Sequence, residues 1–229
     1  SSSHALIGGL IGATIAAVGW GGLNVDGILG KVVLPLVSSP ILGLILGAAV
    51  MIVLLNVFQR ADPHRLNERF RHIQLLSAAF MAFSHGSNDA QKTMGILTLA
   101  LVTAGILPAF DVPVEVILIA AAAMALGTAA GGWRIMRTMG QRVVKLDPVH
   151  GFAAETTAAT IILGASHLGM PVSTTHVIST AIMGVGSTSS LSAVRWGLVS
   201  NIVAAWILTI PLSAIVAAVA WVVLRFVLG

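Results

Sequence analysis

The sequence predicts an all-α membrane protein with broken helices and re-entrant hairpins. Three observations carry that prediction. Hydrophobic residues make up 57% of the chain and charged residues only 9%, where a soluble domain carries about 25% charge. The mean hydropathy is +0.98. The remaining polar residues gather inside apolar stretches, next to Gly or Pro residues that interrupt a helix. Irregular backbone at membrane depth is tolerated only where protein buries it or it lines a wet cavity.

The basic residues then set the topology. Arg60, Arg65, Arg69 and Arg71 form one cluster, and Arg134, Arg137, Arg142 and Lys145 form another; together they hold most of the 12 Lys and Arg residues. Two such clusters between apolar segments read as loops on the cytoplasmic side. The pI of about 10.7 therefore reflects membrane orientation, not a nucleic-acid footprint. The chain has no cysteine, which excludes a disulfide framework and thiolate metal sites. Ser1-Ser2-Ser3-His4 leads straight into an apolar run with no basic region before it. It reads as a chain entering mid-domain, not as a signal peptide.

Each element follows in order. Residues 5–20 are apolar, short and Gly-rich, and 19–30 are a turn-rich break. Residues 35–58 are long enough to cross a core of about 30 Å at about 1.5 Å per residue. Asp62-Pro63 marks a turn or helix start inside the first basic loop, 59–72. Residues 73–107 exceed one span and read as broken at His85 to Asp89. Residues 114–132 form a second crossing, which returns the chain to the side of the first basic loop. Residues 149–168 and 173–186 are short arms around Gly169-Met170-Pro171, the pattern of a re-entrant hairpin. Residues 191–228 supply a last long span.

Candidate functional residues fall in two stretches and at one isolated acid. Phe83-Ser84-His85-Gly86-Ser87-Asn88-Asp89-Ala90-Gln91-Lys92-Thr93 sets Asp89 and Lys92 in an apolar context. Charge at membrane depth persists where it binds or pairs with something. Asn88 and Asp89 offer oxygen ligands to a hard cation such as Na⁺, or a carboxylate for a proton, with Ser87 and Gln91 as weaker candidates. An Asp89–Lys92 ion pair that only orders the fold is the competing reading. Ser173, Thr174 and Thr175 follow Pro171 at a helix start, where hydroxyls, free N–H groups and the helix dipole suit an anion. Plain N-capping is the bland alternative. Glu155 either ligates a cation, carries a proton or satisfies a broken helix. His4, His85 and His176 sit beside broken segments and read first as structural donors. Ser173, His176 and Asp89 also supply the residue types of a triad. However, Ser173 and His176 are only three positions apart and no GxSxG elbow is present, so an intramembrane serine hydrolase is a distant alternative.

The chain also repeats itself. Pro171-Val172-Ser173-Thr174-Thr175-His176 aligns without gaps on the first residues, so that His176 falls on His4 and Gly184 on Gly12. Similar short segments in two halves point to a repeat-built transporter with its site at the repeat interface. The counterpart of Asp89 would then lie upstream of Ser1.

Three segments together, His85-Gly86-Ser87-Asn88-Asp89-Ala90-Gln91-Lys92, Gly151-Phe152-Ala153-Ala154-Glu155 and Pro171-Val172-Ser173-Thr174-Thr175-His176, resemble the PiT family of inorganic phosphate transporters over nearly the whole chain. The resemblance implies an inverted-repeat secondary transporter in the cell membrane, without cofactor, that moves phosphate with Na⁺ or H⁺ by alternating access. Some relatives carry sulfate, the close alternative. It implies that Asn88 and Asp89 contact the coupling cation and phosphate. Ser173, Thr174 and Thr175 would bind phosphate oxygens, mirrored by Ser1, Ser2 and Ser3. Gln91 and Glu155 would lie near the ion site, and the assembly would be a homodimer. Residues 1–58 would be the tail of a first repeat with the helices that follow it, 59–72 a basic cytoplasmic loop, and 73–229 a second repeat. The first-repeat Asn-Asp motif is not in the chain.

Overall fold

The computed structural model describes residues 1–137, 143–144 and 146–228. Arg142 and Lys145 of the second basic cluster lie outside the described residues. The elements are α1 (Ser2–Val18), α2 (Val25–Ile28), α3 (Leu34–Val57), α4 (Pro63–Thr103), α5 (Val114–Arg137), α6 (Pro148–His167), α7 (Thr174–Ser187) and α8 (Trp196–Leu228), with no strand among the described residues. Three helices among the described residues are long and apolar enough to cross a membrane: Val25–Val57, Val114–Trp133 and Trp196–Leu228. Their large apolar side chains face outward, as lipid-facing side chains do.

Local chemistry sets the ends. Ser1 caps α1 by accepting from the His4 N–H, and Gly19 ends it at φ 78°, a conformation that costs Gly nothing. Asp62 caps α4 by accepting from the Arg65 N–H, and Pro63 begins it, since a first-turn residue needs no N–H bond. Asp147 caps α6 in the same way, accepting from the His150 N–H ahead of Pro148.

Three expectations need correction. The predicted break at His85 to Asp89 is absent: α4 runs unbroken for 41 residues. The segment is polar but contains no proline, and a single helical Gly86 costs only about 1 kcal/mol. The basic loop at 59–72 is mostly helix, because α4 starts at Pro63 and carries Arg65, Arg69 and Arg71 on its first turns. The break at 19–30 is shorter than predicted. A 3₁₀ turn at Trp20–Gly22 is followed by helix from Val25, which continues into α3 through a π turn at Leu29–Val33. Pro35 and Pro40 are both accommodated within this run; Pro35 directly follows the π turn, where the Leu34 N–H bonds to the Leu29 carbonyl and the regular i to i−4 ladder is already displaced. The hairpin of α6 and α7 matches expectation. Its connection holds Gly169 at φ 66°, and α7, with 14 residues, is about 21 Å long, short of the hydrocarbon thickness.

The packing is reciprocal. α1 lies against α8, and α7 lies against α3, while α4 packs on both α5 and α6. Helices in lipid approach through small residues. Gly12 presses on the backbone of Ala214 in α8, and Gly184 presses on the backbone of Leu44 in α3. Gly8 faces Ser213, while the aligned Thr180 faces Gly43, so a glycine meets a hydroxyl residue in both places with the roles exchanged. Between α6 and α7 the core is likewise small, with Ala158, Ala181 and Val177 fully buried. At the basic end, Phe70 stands edge-on to Phe58 at 5.6 Å and to Phe152 at 5.2 Å.

Overpacking such a contact costs roughly 1–3 kcal/mol. Gly184→Leu should therefore lower the melting temperature in detergent, whereas Gly164→Leu, at a position with open space around it, should melt with the parent protein. Equal melting of the two variants would show that the α3–α7 contact is not close-packed.

Candidate functional site

Three elements converge on the carboxylate of Asp89. The face of α4 that carries His85, Asn88, Asp89 and Lys92 follows from helical spacing. The first turn of α1 supplies Ser1, Ser2 and Ser3, and the connection before α7 supplies Val172 and Ser173, with Thr174 at the helix start. Asp89 Oδ1 accepts from Lys92 Nζ at 3.2 Å and from Asn88 Nδ2 at 3.3 Å. Asp89 Oδ2 accepts from Ser2 Oγ at 3.2 Å and from Thr174 Oγ1 at 3.5 Å. His85 Nε2 stands 3.4 Å from the same oxygen. The Asp89 and Lys92 side chains are 12% and 15% exposed.

Lys92 uses all three of its donors. Besides Asp89, its ammonium donates to Ser3 Oγ at 2.7 Å and to the Val172 carbonyl at 2.8 Å. The Val172 carbonyl, left without a helical partner by the turn before α7, also accepts from Ser3 Oγ at 3.2 Å. Ser166 at the end of α6 donates to Asn88 Oδ1 at 3.2 Å and so fixes the amide's orientation.

The aligned residues of the two short segments touch each other. Ser1 Oγ and Ser173 Oγ lie 2.8 Å apart. Each also accepts from the N–H three residues on, His4 for Ser1 and His176 for Ser173. The His4 and His176 rings are 4.3 Å apart, and His176 stacks on Trp206 at 3.8 Å. Two helix N-termini thus end side by side next to Asp89, where their dipoles favour negative charge. The His176 ring lies against His4 and Trp206, and the Ser173 hydroxyl shares a hydrogen bond with that of Ser1, so the residue types of a triad do not assemble into one.

Of the predicted site residues, Ser1, Ser2, Ser3, Asn88, Asp89, Ser173 and Thr174 come together. Thr175 and Ser87 are nearby in sequence but make none of these bonds, and Gln91 is exposed. Glu155 lies elsewhere. Its Oε2 accepts from Ser77 Oγ at 2.6 Å and its Oε1 from Gln74 Nε2 at 3.4 Å. Ser77 precedes Asp89 by twelve positions, about 18 Å along a helix rising 1.5 Å per residue. Glu155 is therefore no co-ligand of Asn88 and Asp89. Sequence reading missed Gln74, Ser77 and Ser166. The first two were legible as a polar i, i+3 pair within an apolar run, whereas Ser166 carries no such signal. Among the described residues, no group of three or more His, Cys, Asp or Glu could hold a metal ion.

A cavity of about 900 Å³ has Glu155 on its wall and extends as far as His85, the neighbour of Asp89. Arg137 and Asp147 line it at the basic end, Gln74 and Glu155 in the middle, and His85 at the end next to Asp89. The cavity runs between α4, α5 and α6 toward the carboxylate. A cysteine in place of Ala78 on its wall should react with a charged methanethiosulfonate reagent about tenfold faster than one in place of Ala121, because the reagent needs water and large apolar side chains around Ala121 face outward. Equal rates would show that the cavity is closed to solvent.

Similarity to known proteins points one way. The model of the phosphate transporter family matches residues 1–217. The chain is 42% identical over 228 residues to a probable low-affinity inorganic phosphate transporter of Bacillus subtilis, covering 99% of this chain and 68% of that protein. It is 46% identical to a protein of the same description from Rhizobium meliloti, covering 96% of this chain and 66% of that protein. The chain thus spans about two thirds of the length of these relatives, and 55% of one from Mycobacterium tuberculosis. A solved structure titled the sodium-dependent phosphate transporter superposes with a TM-score of 0.88 at 26% identity, over 99% of this chain and 74% of that one.

Proposed function

The chain belongs to the phosphate transporter family, and from that premise we propose that it moves inorganic phosphate across a membrane together with a cation, Na⁺ or H⁺, by alternating access. The observation that carries this reading is the meeting of two hydroxyl-bearing helix N-termini, at Ser1 and Ser173, beside Asp89 and Lys92. Dehydrating a multiply charged anion is very costly. N–H groups, hydroxyls and the Lys92 ammonium offset part of that cost, and a co-bound cation offsets more. Phosphate oxygens would take the hydroxyls of Ser1, Ser2, Ser3, Ser173, Thr174 and Thr175, with Asn88 and Asp89 shared between phosphate and cation. Monohydrogen phosphate carries a donor for the Asp89 carboxylate, which sulfate lacks. Glu155, with Ser77 and Gln74, is a separate candidate station for the cation on the cavity wall. Ser87 and Gln91 remain peripheral to both.

The reciprocal packing of α1 on α8 and α7 on α3 supports two related repeats that rock against each other about the site. The division into 1–58, 59–72 and 73–229 follows from that reading, with the basic stretch now the start of α4. A homodimer is proposed on family resemblance alone, and its mass in native detergent would test it.

Phosphate-transport-deficient cells expressing the full-length gene should accumulate labelled phosphate, and excess unlabelled sulfate should not compete. Accumulation suppressed by sulfate would overturn the substrate. Asp89→Asn should cut coupled accumulation by at least about tenfold, since it removes the one carboxylate that faces both N-termini. Near-normal accumulation by that variant would remove Asp89 from the mechanism. Thr174→Ala should raise the half-saturating phosphate concentration roughly 3- to 10-fold, the scale of one lost hydrogen bond.

A further inference from the structure

We propose that Lys92 is a tethered cation standing where a free Na⁺ would otherwise bind in the phosphate site, so that phosphate transport by this protein does not require Na⁺. The inference rests on the phosphate-transport reading and decides a point that reading leaves open. Its basis is the set of atoms around the Lys92 ammonium. They are one carboxylate oxygen, Asp89 Oδ1 at 3.2 Å, one hydroxyl, Ser3 Oγ at 2.7 Å, and one backbone carbonyl, Val172 at 2.8 Å. Carboxylate, hydroxyl and carbonyl oxygens are the ligand types that hard cations take. They come from three separate segments, α4, α1 and the connection before α7, which is how an ion site ties elements together.

An ammonium and a bare cation compete for such oxygens. Here the ammonium holds three of them and is joined to the same helix as Asp89, one turn away, so it never dissociates. Its local concentration is fixed by the chain, whereas Na⁺ must arrive from solution. Its three donors are matched by three acceptors. A Na⁺ entering this place would strand a buried ammonium, the costly half of a broken pair. The place a free Na⁺ would take beside Asp89 is thus held by a positive charge resident in the protein.

Shortening the side chain leaves the oxygens in place and empties the position. Lys92→Ala should then convert the transporter from Na⁺-indifferent to Na⁺-responsive. In proteoliposomes holding the purified full-length protein, wild-type uptake of labelled phosphate should change less than about twofold when choline replaces Na⁺. Uptake by Lys92→Ala should fall about tenfold or more in choline and recover several-fold on adding Na⁺, because one partner of a buried pair has been removed and a free cation restores it. Wild-type uptake that falls about tenfold without Na⁺ would overturn the proposal. So would a Lys92→Ala protein as active in choline as the wild type. Should that variant fail to fold, ²²Na⁺ flux through the wild-type protein decides the matter. No ²²Na⁺ entry with phosphate supports the proposal, and stoichiometric entry overturns it. A wild-type protein that carries no phosphate in either medium would instead overturn the transport reading itself.

Discussion

The structure depends on how one buried ion pair is satisfied. Asp89 and Lys92 share a single turn of α4 and are largely shielded from solvent. Neither charge is tolerated at membrane depth unless it is paired and hydrogen-bonded. Their mutual contact leaves the second Asp89 oxygen and two Lys92 donors unsatisfied. Those remaining valences recruit Ser2 and Ser3 from α1, and Val172 and Thr174 from the start of α7. The broken chain before α7 is stable for the same reason. Its exposed carbonyl finds an ammonium, so irregular backbone sits where it costs least. One ion pair thus gathers three elements for electrostatic reasons.

Around that centre, close packing keeps the two short helices aligned. α1 and α7 each reach a long helix through small residues, α8 for one and α3 for the other, and the glycine and hydroxyl partners exchange between the two contacts. Equivalent residues meet one another at Ser1 and Ser173, and again at His4 and His176. Segments that align in sequence thus also touch in the fold.

Much of this was legible in the sequence because composition and punctuation act locally. Low charge content announced the membrane. Asp62-Pro63 and Gly169-Met170-Pro171 marked a helix start and a hairpin, since caps and left-handed glycines are set by the chain within a few residues. The Ser and Thr clusters pointed to helix N-termini that do converge. The failures have a common cause. Polarity within an apolar run predicts a break at His85 to Asp89, yet polar side chains alone do not break a helix, and those there are met by neighbouring elements. Glu155 was grouped with Asp89 because both are rare acids in an apolar setting. Which turn of α4 faces α6 is a matter of tertiary register, and that register places Glu155 against Ser77. The sequence offers Lys92 only Asp89 as a partner, because the other oxygens of its shell come from distant segments.

The continuity of α4 has a mechanical consequence. A broken helix absorbs motion at its joint, whereas an unbroken one behaves as a stiff beam. α4 carries Arg65 at its basic end, Gln74 on the cavity wall and Asp89 in the site, so these three move as points on one lever. Arg65 and Asp89 are about 36 Å apart along the axis, and a tilt of about 5° at one end displaces the other by about 3 Å. That displacement equals a hydrogen-bond length. A small push at the membrane surface is therefore enough, by geometry alone, to change which oxygens reach the buried carboxylate.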